Sequence, residues 1–138
     1  MEQVKKIEVI LEKSLDGYSA YAKDYSAIYT TGNDIQEVKE NIEEVIGYQV
    51  EYLQEQGKNE ESENLKNSEL EFYLDVKQFF EEYKFINKSA FAEAIGEKPN
   101  YIRKISRGLV KLSDEKSLKI QTGLHKLGKE LLNVHFIH

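Results

Sequence analysis

The stretch "SAFAEAIGEKPNYIRKISRGL", Ser89 to Leu109, concentrates Lys98, Arg103, Lys104 and Arg107 in a chain whose formal net charge is -6. Its apolar residues come in two short helical groups. Phe91, Ala94 and Ile95 belong to the first, and Ile102 and Ile105 to the second. Gly96 stands where a first helix has to stop, and Pro99 suits the first turn of a second, where its missing N–H has no partner to lose. Two helices that cross steeply need a small residue at their contact, and Ala92 supplies it. The spacing predicts a second helix from Pro99 to Ser106, with Ile102 and Ile105 turned inward. Asn100, Tyr101, Arg103, Lys104 and Arg107 are then left as a reading face.

Such a face has the chemistry to read duplex DNA. Arg and Lys donate to guanine O6 and N7, Asn pairs with adenine in bidentate fashion, and Tyr bonds a phosphate or packs on a thymine methyl. Lys98, Arg107 and Lys111 fall at the ends of the helix, where they suit backbone phosphates. The surrounding sequence is helical as well. "VKQFFEEYKF" carries Val76, Phe79, Phe80 and Tyr83 on one stripe, and a later helix opening at Ser113 carries Leu118, Ile120, Leu124, Leu127 and Leu131.

Upstream of Asp75 the pattern differs. Ile7, Val9 and Leu11 alternate with Glu8, Ile10 and Glu12, which predicts a half-buried strand. Asp16-Gly17 marks a turn, and Tyr18 to Lys23 and Ala27 to Thr31 read as two further strands. From Asp34 the period becomes helical, with Ile35, Val38, Ile42, Val45, Ile46, Val50 and Leu53 on one stripe. Asp34 and Glu37 have the form of a capping box. Gly47 sits inside this helix at a cost of about 1 kcal/mol relative to Ala, which predicts close packing, a bend or simply an exposed face. Residues 54 to 69 are so polar that a mobile surface loop is expected, and "LEFYLD" reads as a fourth strand. The expected fold class is α+β, with a β-β-β-α-β domain over residues 1 to 75 and an all-α domain over 76 to 138.

The charge divides at the same place. Residues 1 to 75 hold 7 lysines against 18 acids, a net of -11, and residues 76 to 138 hold 12 Lys and Arg against 7 acids, a net of +5. The asymmetry predicts either two parts with different clients, the second client polyanionic, or simply an uneven solvated surface. There is no cysteine, and the histidines, at 125, 135 and 138, have neither metal-ligand nor triad spacing. Glu8, Glu12, Asp16, Asp24 and Asp34 do not converge in the pattern, and no glycine-rich phosphate loop is present, so no catalytic centre, metal or cofactor is predicted. The N-terminal residues alternate in charge and no window approaches about 18 apolar residues, which predicts a cytoplasmic chain with no membrane partner.

Two resemblances give these readings names. "FAEAIGEKPNYIRKISRGLVKLS" resembles the repressor-type helix-turn-helix of the phage Cro-type (XRE) family, and "SLKIQTGLHKLGKELL" resembles that family's last helices. The resemblance implies base contacts from Pro99, Asn100, Arg103 and Lys104 and phosphate contacts near Lys98 and Arg107. It also places Glu97 where the family has an apolar residue, so an anionic charge is expected close to DNA. "VILEKSLDGYSAYAKDYSAIYTTGNDIQEVKENIEEVI", followed by "LEFYLDV", is similar to the HicB-type antitoxins. That resemblance implies a truncated ribonuclease H-like antitoxin domain and a HicA-type partner, a small basic ribonuclease whose active site the antitoxin covers.

Autorepression of the operon through the helix-turn-helix follows from the same resemblance, and a homodimer on a near-palindromic operator from the usual geometry of such readers. Tyr18, Tyr21 and Tyr29 are candidate toxin contacts, because Tyr is favoured both on sheets and at interfaces. A stand-alone dimeric transcription regulator, with a ligand-binding or dimerising N-terminal domain, is the alternative.

Overall fold

A computed structural model describes residues 5–138 of the chain. It is a mixed α+β structure that divides into two compact units, Met1–Asp75 and Val76–His138. In the first, β1 (Lys6–Lys13), β2 (Tyr18–Ala22) and β3 (Tyr25–Gly32) precede α1 (Ile35–Glu55), α2 (Asn59–Lys66) and β4 (Glu69–Leu74). The sheet order is β3-β2-β1-β4, antiparallel except for the parallel pair β1 and β4.

One face of the sheet is dry. Ile7, Val9 and Leu11 of β1, Tyr18, Ala20 and Ala22 of β2 and Ile28 of β3 are buried together with Ile35, Val38, Ile42, Val50 and Leu53 of α1. They alternate at period 2 along the strands and at period 3.6 along the helix, and the pairing of β2 with β1 puts Tyr18, Ala20 and Ala22 on the dry side. The Asp34 carboxylate accepts from the Glu37 N–H at 2.8 Å and opens α1. Gly17 and Gly32 meet at the entry to this helix. A Cβ on Gly17 would collide with the Gly32 carbonyl, and one on Gly32 with the Val38 backbone, so the β1–β2 turn can lie against the start of α1 only with glycine at both places. Gly47 is exposed with nothing within 4 Å of where a Cβ would stand, so no packing demand explains it.

Residues 54 to 69 are not the loop their polarity predicts. The chain turns at Gly57 (φ 74°) and forms α2, which packs on α1. Two small contacts hold it. Leu65 is buried, and the fully buried Ser62 donates its hydroxyl to the Val50 carbonyl at 3.1 Å. Acidic residues at the start of α2 and Lys66 at its end also suit the helix dipole. Strand β3 is longer than the expected Ala27 to Thr31, because Lys23-Asp24 alone makes the turn and a bulge beside Tyr21 and Ala22 absorbs the shift.

The second unit contains α3 (Val76–Glu82), α4 (Lys88–Ile95), α5 (Pro99–Ser106) and α6 (Asp114–Leu132). Phe80, Phe91, Ala92, Ile102, Ile105 and Ile120 are its buried centre, with Phe79, Ile95, Leu124 and Leu127 packed around them. The expected apolar stripe of α6 is only partly used. Leu118, two residues from the buried Ile120 and so on another side of the helix, is 62% exposed, and Leu131, near the helix end, is 71% exposed. Helix α3 is also shorter than "VKQFFEEYKF", and Phe85 beyond it is exposed.

Candidate nucleic-acid interface and open sheet face

Helices α4 and α5 are joined by Gly96, Glu97 and Lys98. Asn87 caps α4, its side-chain oxygen accepting from the Ala90 N–H at 3.0 Å. Gly96, at φ 78°, ends it with paired bonds, Gly96 N–H to the Glu93 carbonyl and Glu97 N–H to that of Ala92. Gly108, at φ 73°, ends the α5 turn the same way, with bonds from Gly108 to Ile105 and from Leu109 to Lys104. Positive φ at both stops is why glycine stands there. Ala92 is fully buried at the crossing, where a larger side chain would push the helices apart.

Helix α5 is sharply two-sided. Ile102, Ile105 and Ser106 are buried, while Asn100, Arg103, Lys104 and Arg107 are exposed. Lys98 and Lys111 are exposed at either end. Tyr101 is half-buried against the core, and the Lys116 ammonium lies 5.4 Å from its ring centre, so Tyr101 is more a flank of the face than part of it. Pro99 is also half-buried at the helix start.

Arg103 is held in place. Its guanidinium donates to the Ser89 hydroxyl of α4 at 2.7 Å and to the Asn100 side-chain oxygen at 3.2 Å. A guanidinium has five N–H donors in a fixed fork, so donors remain for a ligand while the side chain is prevented from wandering. Ser89 is the residue that sequence reasoning missed here. Its only sign in the sequence is a hydroxyl early in the first helix of the pair.

Glu97 does not present a charge to the surface. Its side chain is only 6% exposed, and it accepts from Lys116 at 2.7 Å and from Lys119 at 2.9 Å, both on α6. Lys119 also donates to the Gly96 carbonyl at 3.1 Å. The two ammonium groups hold the Glu97 carboxyl below its ordinary value against the opposing effect of burial, and Glu97 in turn raises Lys116. The expected anion beside α5 is therefore an internal tie between the α4–α5 turn and α6.

On the first unit, α1 covers one sheet face, and the residues between the buried ones lie on the other. Paired positions bring Tyr29, Tyr21, Ile10 and Tyr73 into one row across all four strands. Tyr29 is 56% exposed and Tyr73 38%, with Tyr21 and Ile10 half-buried between them. The Tyr21 hydroxyl donates to Glu12 at 3.2 Å and that of Tyr73 to Glu8 at 3.4 Å. Partial desolvation raises both phenols, chiefly, and the neighbouring carboxylates add to it through Glu12 at Tyr21 and through Glu71 and Glu8 at Tyr73. Both hydroxyls stay protonated as donors to those carboxylates.

Tyr18 does not belong to this row. It is buried beneath α1, because the period of β2 turns it to the dry face, so it is a core residue and not a partner contact. Tyr73 and Ile10 were not expected in the row; the antiparallel pairing of β1 with β2 brings in Ile10, and the parallel pairing of β4 with β1 brings in Tyr73.

No protein-family model, curated protein or solved structure matches this chain.

Chemically, the two surfaces suit opposite charges. The α5 face offers guanidinium, ammonium and amide donors on a rigid helix, the donor set that duplex DNA recognises. The open sheet face offers phenol rings beside Glu8, Glu12 and Glu71, with Lys6 and Lys23 already paired to Glu71 and Glu8 at 3.7 and 3.4 Å. Rings flanked by carboxylates attract cations. Among the described residues, no group of three His, Asp or Glu side chains is placed to hold a metal ion, and no helix is long and apolar enough to cross a membrane.

Proposed function

We propose that this chain is an antitoxin of the HicB type, which binds operator DNA through α4 and α5 and a basic ribonuclease toxin of the HicA type through residues 1 to 75. The observation that carries the DNA half of the reading is the division of α5. Ile102 and Ile105 are locked inside, Gly96 and Gly108 close both turns, and Asn100, Arg103, Lys104 and Arg107 stand outside on a helix that α4 braces. Arg103 and Lys104 read base edges, Asn100 reads through its free amide hydrogens, and Lys98, Arg107 and Lys111 neutralise phosphates.

The toxin half rests on the resemblance of the β-β-β-α-β order to the antitoxin domain, on a net of -11 over residues 1 to 75, and on the open tyrosine row. The truncated ribonuclease H-like arrangement belongs to the same reading, with α2 as an addition between α1 and β4. In it the chain is a binder and not an enzyme, and it covers the toxin's active site sterically. A basic ribonuclease surface meets Tyr21, Tyr29 and Tyr73 among carboxylates, which steer it by charge and then pack against it.

Full-length Arg103→Ala and Lys104→Ala variants test the division of labour. Each is expected to lose retention of the DNA upstream of its own gene, by roughly 5- to 150-fold for one lost base contact, and to neutralise the co-expressed toxin as well as the unsubstituted chain does. Unchanged DNA retention in both variants would end the reading of α5, and restored toxicity in either would end the separation of roles.

A further inference from the structure

The second unit carries an apolar arm and an apolar groove that do not meet. Helix α6 ends at Leu132, and residues 133–138 leave it without regular structure. Around this end Leu131 is 71%, Leu132 81%, Val134 55%, Phe136 85% and Ile137 104% exposed. Five large apolar side chains within seven residues lie in water, whereas the other exposed apolar residues of the unit, such as Phe85 and Leu109, are scattered singly.

A groove of about 750 Å³ runs between α4 and α6. Its apolar lining includes Ala94 and Ile95 of α4 and Leu118 and Leu127 of α6. Gly123 belongs to the same wall, and a Cβ there would collide with the Ile95 side chain, so α4 and α6 cross closely at its floor. Charged side chains of both signs, Glu115 and Glu130 as well as Lys119 and Lys126, also line it.

We infer that the segment Leu131 to Ile137 is a dimerisation arm that lies in the α4–α6 groove of a second copy of this chain, each copy receiving the other's arm. The occupant follows from size and from the composition of the arm. A large apolar side chain hides roughly 60–120 Å² when buried, so two arms and the groove walls they cover together remove about 1,200–2,400 Å² from water, the range of a stable protein interface. The arm between Leu131 and Ile137 has no Asp, Glu, Lys or Arg, so it covers Ala94, Ile95, Leu118 and Leu127 without burying a carboxylate, ammonium or guanidinium. A reciprocal exchange also closes on itself with two-fold symmetry and leaves no arm unpaired. This inference does not rest on DNA reading, although a two-fold pair of α5 helices fits a palindromic site.

The chain has no cysteine, which makes the test direct. Light scattering of the full chain is expected to give twice the mass of one chain, and Phe136→Ser combined with Ile137→Ser to weaken self-association by at least about tenfold with unchanged circular dichroism. A tagged Leu118→Cys variant is then mixed with an untagged Phe136→Cys variant under mild oxidation. A disulfide-linked species of mixed mass places the arm of one copy in the groove of the other. A monomeric full chain, a dimer that survives the double substitution, or a dimer in which 118 and 136 do not cross-link overturns the inference. None of these outcomes bears on DNA retention by Arg103→Ala, so the two proposals fail separately.

Discussion

Replacing Glu97 with Gln keeps the shape of the side chain and an acceptor oxygen but removes the charge that Lys116 and Lys119 hold at 2.7 and 2.9 Å. Each bond keeps its ammonium donor and loses the charge of its acceptor; at about 1 kcal/mol per bond, a difference that fits inside the span of about 1.5–3 kcal/mol for bonds to charged groups, two cost about 2 kcal/mol before screening. Both lysine side chains are more than two-fifths exposed and regain water when released, which brings the loss to about 1 kcal/mol. For a unit of this size that lowers the melting temperature by about 4–8 °C. Differential scanning calorimetry of the full chain at pH 7 is the assay.

The pH dependence gives the sign. Glu97 is lowered from an ordinary value of 4.5 in the folded state, so its contribution is complete above that value. It fades as pH falls through the lower folded value. The gap between the unsubstituted chain and Glu97→Gln should therefore close in acid. Equal melting temperatures at pH 7, or a gap that persists undiminished once Glu97 is protonated, would refute the claim that a buried ionic tie joins the α4–α5 turn to α6.

Gly47→Ala is expected to stabilise the first unit by about 0.5–1 kcal/mol in urea unfolding, because the helix interior gains a better former and the new methyl meets open space. Ser62→Ala should cost about 1 kcal/mol by removing the buried bond to the Val50 carbonyl, and amide exchange should quicken in α2 before it does in α1. Ser89→Ala leaves every charge in place but frees Arg103, so DNA affinity measured by fluorescence anisotropy should fall a few-fold, less than for Arg103→Ala. The dependence on salt should not change, since no phosphate contact is lost.

Much of the fold was legible because burial leaves a period in the sequence. The alternation of Ile7, Val9 and Leu11 and the stripe from Ile35 to Leu53 place β1 and α1 on their dry faces without reference to any neighbour. Gly96, Pro99 and Gly108 were equally plain, since each sits where backbone geometry admits few other residues. Helix α2 was hidden because Ser62 and Leu65 are all it buries, and Leu65 is the one large apolar residue among the sixteen positions from 54 to 69. Tyr18 was misread because composition marks a tyrosine as suited to a sheet or to an interface, whereas only the register of β2 tells which face it takes.

The sequence by itself therefore determined the elements that bury a periodic apolar face, the turn between α4 and α5 and the opposite charges of the two halves, all of which depend on neighbours in the chain. Only the tertiary structure decided what distant residues do to one another. It placed Tyr73 beside Ile10 in the tyrosine row, set Ser89 against Arg103, and turned Glu97 from an apparent surface anion into the partner of Lys116 and Lys119. Periodicity records which face of an element is dry, but carries no information about which other element covers it.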